Sequence, residues 1–144
     1  METIEERDMT VVTLVGTDIA LLEGLAQGLS ALGHRTTVTS SLAEAAELAA
    51  IEAPLVLIAD RVLASDAGAD LLRVALISGG ARLLYRTTSA PLAPLLPALQ
   101  RAVLADLTLP LERHRLTALV QSIGERARMT GRSTRHTPTE GRAI

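Results

Sequence analysis

Asp60 is the residue of this chain whose type and position best suit it for chemistry. It directly follows the apolar run LVLIA at residues 55–59. An acidic side chain at the carboxyl end of a buried strand can act as a nucleophile or as a metal ligand. The same carboxylate can instead accept hydrogen bonds from backbone N–H groups of the next loop, or pair permanently with Arg61 or Arg86. The sequence leaves these interpretations open.

The other side chains limit the reactions in which Asp60 could take part. All fourteen basic residues are arginine, and the 144-residue chain contains no lysine and no cysteine. The lack of cysteine excludes disulfides, thiol catalysis and cysteine-based metal sites. His34, His114 and His136 have no metal-ligand spacing and are expected to be solvated, and no Ser-His-Asp arrangement or glycine-rich phosphate loop is present. We therefore expect no bound metal, no cofactor and no enzymatic activity.

Alternating strand and helix patterns are expected to position these residues. Apolar or β-branched runs predict five strands, at residues 11–15, 35–39, 55–59, 83–85 and 107–109. Leucine stripes predict the helices between them, and Asp18 and Ser41 are suited to cap the first two. Three further helices are predicted around residues 71–76, over residues 95–104 and around residues 116–123, and a loop is predicted from Asp60 to about Gly68, before the first of these. The order βαβαβαβαβα is typical of a doubly wound, five-stranded parallel sheet of the α/β class.

Two segments narrow the choice among α/β folds. Both resemble the receiver domain of bacterial two-component response regulators. The first is residues 54–63 (PLVLIADRVL) followed by 68–72 (GADLL), and the second is residues 105–112 (ADLTLPLE). The resemblance covers residues 11–128 and implies a CheY-like, flavodoxin-like (βα)5 fold with the strand order 2-1-3-4-5. It implies that Asp60 matches the phospho-acceptor and that a cis-proline turn lies at Pro110. The switch hydroxyl is matched by Thr87, or by Arg86 or Thr88 if the alignment slips.

The chain departs from the receiver pattern at the positions that supply charge. Receivers bind Mg²⁺ with two acidic residues after the first strand, and these positions are Gly16 and Thr17 here. The lysine before the cis-proline is matched by Leu109, and the aromatic switch residue of the fifth strand by Asp106. Phosphoryl transfer to a carboxylate requires fixed positive charge around the phosphoryl oxygens. We therefore expect a pseudo-receiver in which Asp60 does not undergo ordinary Mg²⁺-dependent phosphorylation.

The C-terminal end of the chain is locally basic, although the net charge of the whole chain is only −2. Seven of the arginines follow Glu112, against two acidic residues. Stabilisation of cations by a helix C-terminus can account for part of this cluster. Arginine also holds phosphate groups bidentately, so the cluster can bind a phosphorylated small molecule. The candidate anion-binding residues are Arg126, Arg128, Arg132 and Arg135.

Together these features predict a flexible N-terminus at residues 1–9, a receiver-like domain at 10–129 and a disordered arginine-rich tail at 130–144. The expected function is that of an atypical single-domain response regulator, cytoplasmic and bacterial, which acts as a protein-interaction adaptor without phosphorylation. Its expected partners are a histidine kinase, another response regulator or a downstream effector, bound through a face that carries Asp106, Arg113 and Arg115. A membrane is not expected as a partner, and a homodimer is left open. The alternative is binding of a cyclic dinucleotide or another anionic ligand at the arginine-rich end.

Overall fold

The computed structural model describes residues 10–66, 80–88, 92, 94–95 and 97–143, with side chains for 10–64 and, from residue 80 onward, as far as Met129. In these ranges the strands are β1 (Val11–Val15), β2 (Arg35–Thr39), β3 (Val56–Asp60), β4 (Ala81–Arg86) and β5 (Ala105–Thr108). The helices are α1 (Ile19–Ala31), α2 (Leu42–Ile51), α3 (Arg61–Asp66), α4 (Pro97–Ala102) and α5 (Arg113–Ala143).

The strands form one parallel sheet in the order β2-β1-β3-β4-β5, which confirms the predicted fold class and topology. The bounds of β1 and β2 are as predicted, and those of β3, β4 and β5 differ from the prediction by one or two residues. Leu109 lies just beyond β5 and forms a cis peptide bond with Pro110, as the resemblance implied. The predicted loop after Asp60 is wrong, because α3 begins at the next residue. The helix predicted around residues 71–76 lies outside the described residues.

Helices cover both faces of the sheet. On one face, α1 and α5 pack their leucine and valine side chains against β1, β3 and β4, in a cluster that contains Leu22, Leu29, Leu116 and Val120. On the other face, α2, α3 and α4 pack against the alternate strand residues, in a cluster that contains Ala45, Ala64 and Leu99. Because side chains alternate along each strand, neighbouring residues of one strand belong to different layers.

The predicted helix caps are confirmed. The Asp18 carboxylate accepts a hydrogen bond from the Leu21 N–H at 3.2 Å, and the Ser41 hydroxyl accepts one from the Glu44 N–H at 3.1 Å. Gly33, which lies between α1 and β2, has a φ of 95°. Only glycine adopts that backbone conformation without strain, so the chain can turn directly from α1 into β2.

The last helix is fixed to the start of the sheet by two contacts. The His34 ring is hydrogen-bonded to the Gln121 side chain at 2.5 Å, and Gly124 lies close to the Thr10 hydroxyl. His34 is buried, so the expectation that it is a solvated surface histidine is wrong. Along the chain, α5 continues past Met129 to Ala143. Among the described residues, no helix is both long and apolar enough to cross a membrane.

Candidate functional site

Three residues of the candidate site lie side by side at the carboxyl edge of the sheet. Val15 of β1 pairs with Ala59 of β3, so Gly16 follows next to Asp60, and Asp60 in turn pairs with Tyr85 of β4. Tyr85 belongs to the cluster beneath α1 and α5. Strand alternation therefore directs Asp60 and Tyr85 toward the same layer.

The Asp60 carboxylate has a structural role at the start of α3. One of its oxygens accepts a hydrogen bond from the Val62 N–H at 2.8 Å. This N–H belongs to the first turn of α3, where backbone donors have no partner within the helix. Asp60 therefore caps the helix that follows it, which matches the interpretation of this residue as an acceptor of backbone hydrogen bonds.

Tyr85 fills the space beside Gly16. Its side chain is 1% exposed, and its hydroxyl has no hydrogen-bond partner in the part of the chain that the structure describes. A Cβ atom added at Gly16 would overlap the Tyr85 hydroxyl oxygen and would lie 3.2 Å from the Leu22 Cδ1 atom. Glycine is thus required here by close approach to the phenol.

The electrostatic environment of the phenol is negative. Burial, followed by the carboxylates of Asp60 and Asp18, raises the pKa of Tyr85 above its ordinary value. Both carboxylates thus disfavour any further negative charge at this edge of the sheet. Among the described residues, no group of three or more acidic or histidine side chains is placed to hold a metal ion.

The remaining positions of the receiver site carry neutral side chains. Leu109 is 1% exposed and packs in the cluster beneath α1 and α5. Thr17 and Thr87 are both exposed. Thr87 directly follows the last residue of β4, Arg86, at the same edge of the sheet as Asp60.

Arg86 pairs with Asp106 and not with Asp60. A terminal guanidinium nitrogen of Arg86 donates to the Asp106 carboxylate at 2.8 Å, and the Nε atom of Arg61 lies 3.9 Å from the same carboxylate. Arg86 follows Tyr85 directly and therefore points to the layer of α3 and α4. The hypothesis that Arg86 holds Asp60 is wrong for this reason. The pair borders a cavity of about 440 Å³, which Leu84, Leu95, Gln100, Val103 and Leu104 also line.

The three residues expected to share an interaction face each have a different partner. Asp106 pairs with Arg86, whereas Arg113 lies on α5 and donates a hydrogen bond at 3.2 Å to the Gly24 carbonyl of α1. Arg115 pairs with Glu112 at 2.8 Å. The structure therefore brings Asp106 together with Arg86, and a shared face of the three residues stays a prediction.

The candidate anion-binding arginines are described only in part. Arg126 is exposed and Arg128 is half-buried, and both lie on α5. The side chains of Arg132 and Arg135 lie outside the described residues.

The sequence places Tyr85 at the end of the fourth predicted strand, and its contact with the site was missed. Two signals could have found it. Tyr85 ends a strand whose carboxyl end faces the site, and it is the only aromatic residue of the chain. A glycine at the matching place after β1 indicates that a bulky neighbour occupies that space.

Solved structures of known proteins show which fold this chain shares. No protein-family model matches the sequence, and no curated protein matches it either. Solved structures do. A CheY-like receiver domain protein from Methanospirillum hungatei has a TM-score of 0.67 and 13% identity, over 85% of this chain and 98% of that chain. NtrX from Brucella abortus has a TM-score of 0.73 and 16% identity, over 92% of this chain and 30% of that chain. A response regulator from Burkholderia pseudomallei, solved with a phosphorylated aspartic acid, has a TM-score of 0.65 and 18% identity, over 85% of this chain and 72% of that chain.

Proposed function

We propose that this chain is an atypical single-domain response regulator that works without phosphorylation of Asp60. It has the fold of the CheY-like response-regulator receiver domains. The fold supports a role in signal transduction and contact with signalling proteins. The finer proposal depends on one observation. The Tyr85 hydroxyl occupies the space that a side chain at Gly16 would need, where receivers carry an acidic metal ligand.

The charges around Asp60 support this proposal. A phosphoryl group on Asp60 would require compensating positive charge, normally from Mg²⁺ and a lysine ammonium. Thr17 is neutral and Leu109 is buried and apolar, so neither position supplies it. Arg61 and Arg86 both have Asp106 as an ionic partner. The site thus retains the carboxylate of a receiver without the cations that make it reactive.

The role of the domain is then to present surfaces to other signalling proteins in the bacterial cytoplasm: a histidine kinase, another response regulator or a downstream effector. We favour the surface formed by α4 and β5, where the Arg86–Asp106 pair borders an open cavity lined by both polar and apolar side chains. Asp106 stands in the position of the aromatic switch residue of receivers. Here its carboxylate is paired with the Arg86 guanidinium at 2.8 Å.

Beryllofluoride, a phosphoryl mimic, tests the proposal directly. We expect the amide NMR spectrum of the labelled protein to stay unchanged when Mg²⁺ and beryllofluoride are added. Shifts around Asp60 that disappear in Asp60→Asn would contradict the proposal. Asp60→Asn is a suitable control because asparagine also caps helices, so α3 should be retained.

A restored site makes the test sharper. The triple variant Gly16→Asp, Thr17→Asp, Leu109→Lys returns the receiver side chains but leaves the phenol in place. We expect it to remain unresponsive, because the carboxylate introduced at position 16 and the Tyr85 side chain compete for one space. Adding Tyr85→Val should restore beryllofluoride binding, with Tyr85→Val alone as the matched control. Far-UV circular dichroism would verify that each variant is folded, and a response of the triple variant would show that Tyr85 does not block the site.

A second candidate function is binding of a cyclic dinucleotide or another anionic ligand at the arginine-rich end. It is favoured by the continuation of α5, on which residues 128, 132 and 135 follow one another at helical spacings of four and three. We expect salt-sensitive binding that is lost when the chain is truncated after Met129, a cut that keeps the contact between Gly124 and Thr10. Binding that survives this truncation would contradict the assignment to the C-terminal end.

A further inference from the structure

Strand β2 is an edge of the sheet with free backbone groups. The Arg35 N–H donates to the Thr10 carbonyl, and the Thr39 carbonyl accepts from the Gly16 N–H, so residues 35, 37 and 39 bond to β1. In a parallel pair the intervening residues direct their N–H and C=O groups away from the partner strand. The outward groups are those of Thr36 and Val38, and neither has a backbone partner among the described residues.

This edge has little protection against pairing. Proteins block exposed edges with charged side chains, proline, bulges or very short strands. The β2 sequence RTTVT has no proline, and its one charged residue is Arg35, at the start of the strand, where it pairs with Glu52. The other four residues are all β-branched, which suits a strand. The opposite edge is different, because β5 has only four residues and Glu112 occupies both outward groups of Thr108. The Thr108 N–H donates to the Glu112 carboxylate, and the Glu112 N–H donates to the Thr108 carbonyl.

A groove of about 870 Å³ runs beside β2. One wall is α1, with Glu23, Ala26 and Ser30, and the other is the α1-facing side of β2, with Thr36 and Val38. Glu44, at the start of α2, lies at one end. The lining contains two carboxylates and no basic side chain, whereas β2 itself begins with the half-exposed Arg35.

We propose that β2 pairs antiparallel with β2 of a second copy of this chain, which makes one continuous ten-stranded sheet. The outward groups determine the alignment of the two strands. If Thr36 of one copy exchanges both hydrogen bonds with Val38 of the other, Thr37 faces its own equivalent on the two-fold axis. Four backbone hydrogen bonds then form, and the Thr36 and Val38 side chains of each copy extend the α1 side of the sheet.

The charges agree with a second copy as the occupant. In this alignment Arg35 of one copy faces Thr39 of the other. Strand alternation places Arg35 and Thr39 on the α2 side of the sheet, where Arg35 already pairs with Glu52 within its own chain. Glu44 follows Thr39 closely, at the start of α2. Each Arg35 therefore gains the Glu44 carboxylate of the other copy, and the two-fold axis repeats this contact.

The chain has no cysteine, so a single introduced cysteine reports on this interface alone. Facing residues of a non-hydrogen-bonded antiparallel pair have Cβ atoms about 4.5–5.5 Å apart, close to the distance that a disulfide spans. We expect Thr37→Cys to form a disulfide-linked dimer on mild oxidation about tenfold or more faster than Ala98→Cys, because the pairing raises the local thiol concentration. Ala98 is exposed on α4 and serves as the collision control.

A proline substitution tests the backbone contacts. Thr36→Pro removes an outward N–H without removing a bond to β1, and edge strands tolerate such a proline. Thr36→Val loses the same hydroxyl but keeps the N–H, and is therefore the matched control. By sedimentation velocity we expect a dimer for the native chain and for Thr36→Val, and a monomer with unchanged circular dichroism for Thr36→Pro.

Three results would overturn the proposal. The first is a native chain that stays monomeric at every concentration measured. The second is a dimer in which Thr37→Cys links no faster than Ala98→Cys, which would locate the interface elsewhere. The third is a Thr36→Pro variant that remains dimeric.

Discussion

The contact between Tyr85 and Gly16 predicts that removal of a single oxygen atom stabilises the protein. The Tyr85 hydroxyl is buried and has no partner among the described residues. A buried polar group without a hydrogen bond costs about 1–3 kcal/mol. Tyr85→Phe removes that group and keeps the ring, so we expect the free energy of unfolding to rise by about 1 kcal/mol, at the low end of that range.

Gly16→Ala should have the opposite effect, because the new methyl group would overlap the hydroxyl oxygen. Extra atoms in a packed core cost about 1–3 kcal/mol. In the Tyr85→Phe background the nearest atoms are the Leu22 Cδ1 at 3.2 Å and the ring Cζ at 3.3 Å, which is tight but needs only a small shift. We therefore expect Gly16→Ala to lower the free energy of unfolding by at least about 1 kcal/mol less in the Tyr85→Phe background than in the native chain. This difference is the coupling energy between the two positions.

Chemical denaturation followed by far-UV circular dichroism measures all four proteins of this double-mutant cycle. Fluorescence is unsuitable, because Tyr85 is the only aromatic residue. The reasoning would be refuted if Tyr85→Phe were destabilising, since the hydroxyl would then have a partner. It would also be refuted if the effect of Gly16→Ala were the same in both backgrounds, since the methyl group would then not meet the hydroxyl.

Charged and ionisable groups give three further predictions. The pKa of Tyr85 is raised in the folded state, so the unfolded chain loses the phenol proton first as the pH rises. The free energy of unfolding should therefore be retained below pH about 10 and fall above it, by up to about 1.4 kcal/mol per pH unit. Chemical denaturation of Tyr85→Phe should show no such fall. Hydrogen bonds from the Thr108 N–H and, second, from Arg115 lower the pKa of Glu112. The contribution of Glu112 to stability is therefore present above the ordinary carboxyl pKa and is lost on acidification. In acid unfolding titrations, Glu112→Gln should lose less stability than the native chain. Asp106→Asn should lower the free energy of unfolding by about 0.5 kcal/mol in thermal denaturation, because the ion pair with Arg86 is partly exposed and screened by solvent, and the effect should shrink at high salt. An unchanged melting temperature would show that the pair contributes nothing.

Local patterns were sufficient to predict the architecture. Each strand appears as a short apolar or β-branched run, and the polar residues Asp18 and Ser41 mark helix starts by a known hydrogen bond. These signals depend on residues close in sequence. The loop predicted after Asp60 was wrong because the Asp60 carboxylate accepts a hydrogen bond from the Val62 N–H and so caps a helix that begins at the next residue.

The candidate site could be predicted only in part, because its contacts join distant strands. The losses of charge at Gly16, Thr17 and Leu109 are visible in the sequence. The partner of Arg86 is not visible without the strand pairing. Once Asp60 is aligned with Tyr85, alternation alone places Arg86 on the opposite face, beside Asp106. The burial of the Tyr85 hydroxyl depends on packing between β1 and β4, which no local pattern encodes.

The unequal edges of the sheet limit how large an assembly of this chain can become. Glu112 occupies the outward groups at the end of β5, and β2 leaves its own groups free. A molecule with two open edges can add copies without end, as filaments do, whereas a molecule with one open edge closes on itself after a single pairing. The proposed pairing of β2 with β2 would thus keep the protein dispersed, although the β2 edge is rich in threonine and valine. A substitution that frees the β5 edge, such as Glu112→Ala, would remove that limit and allow fibrous growth.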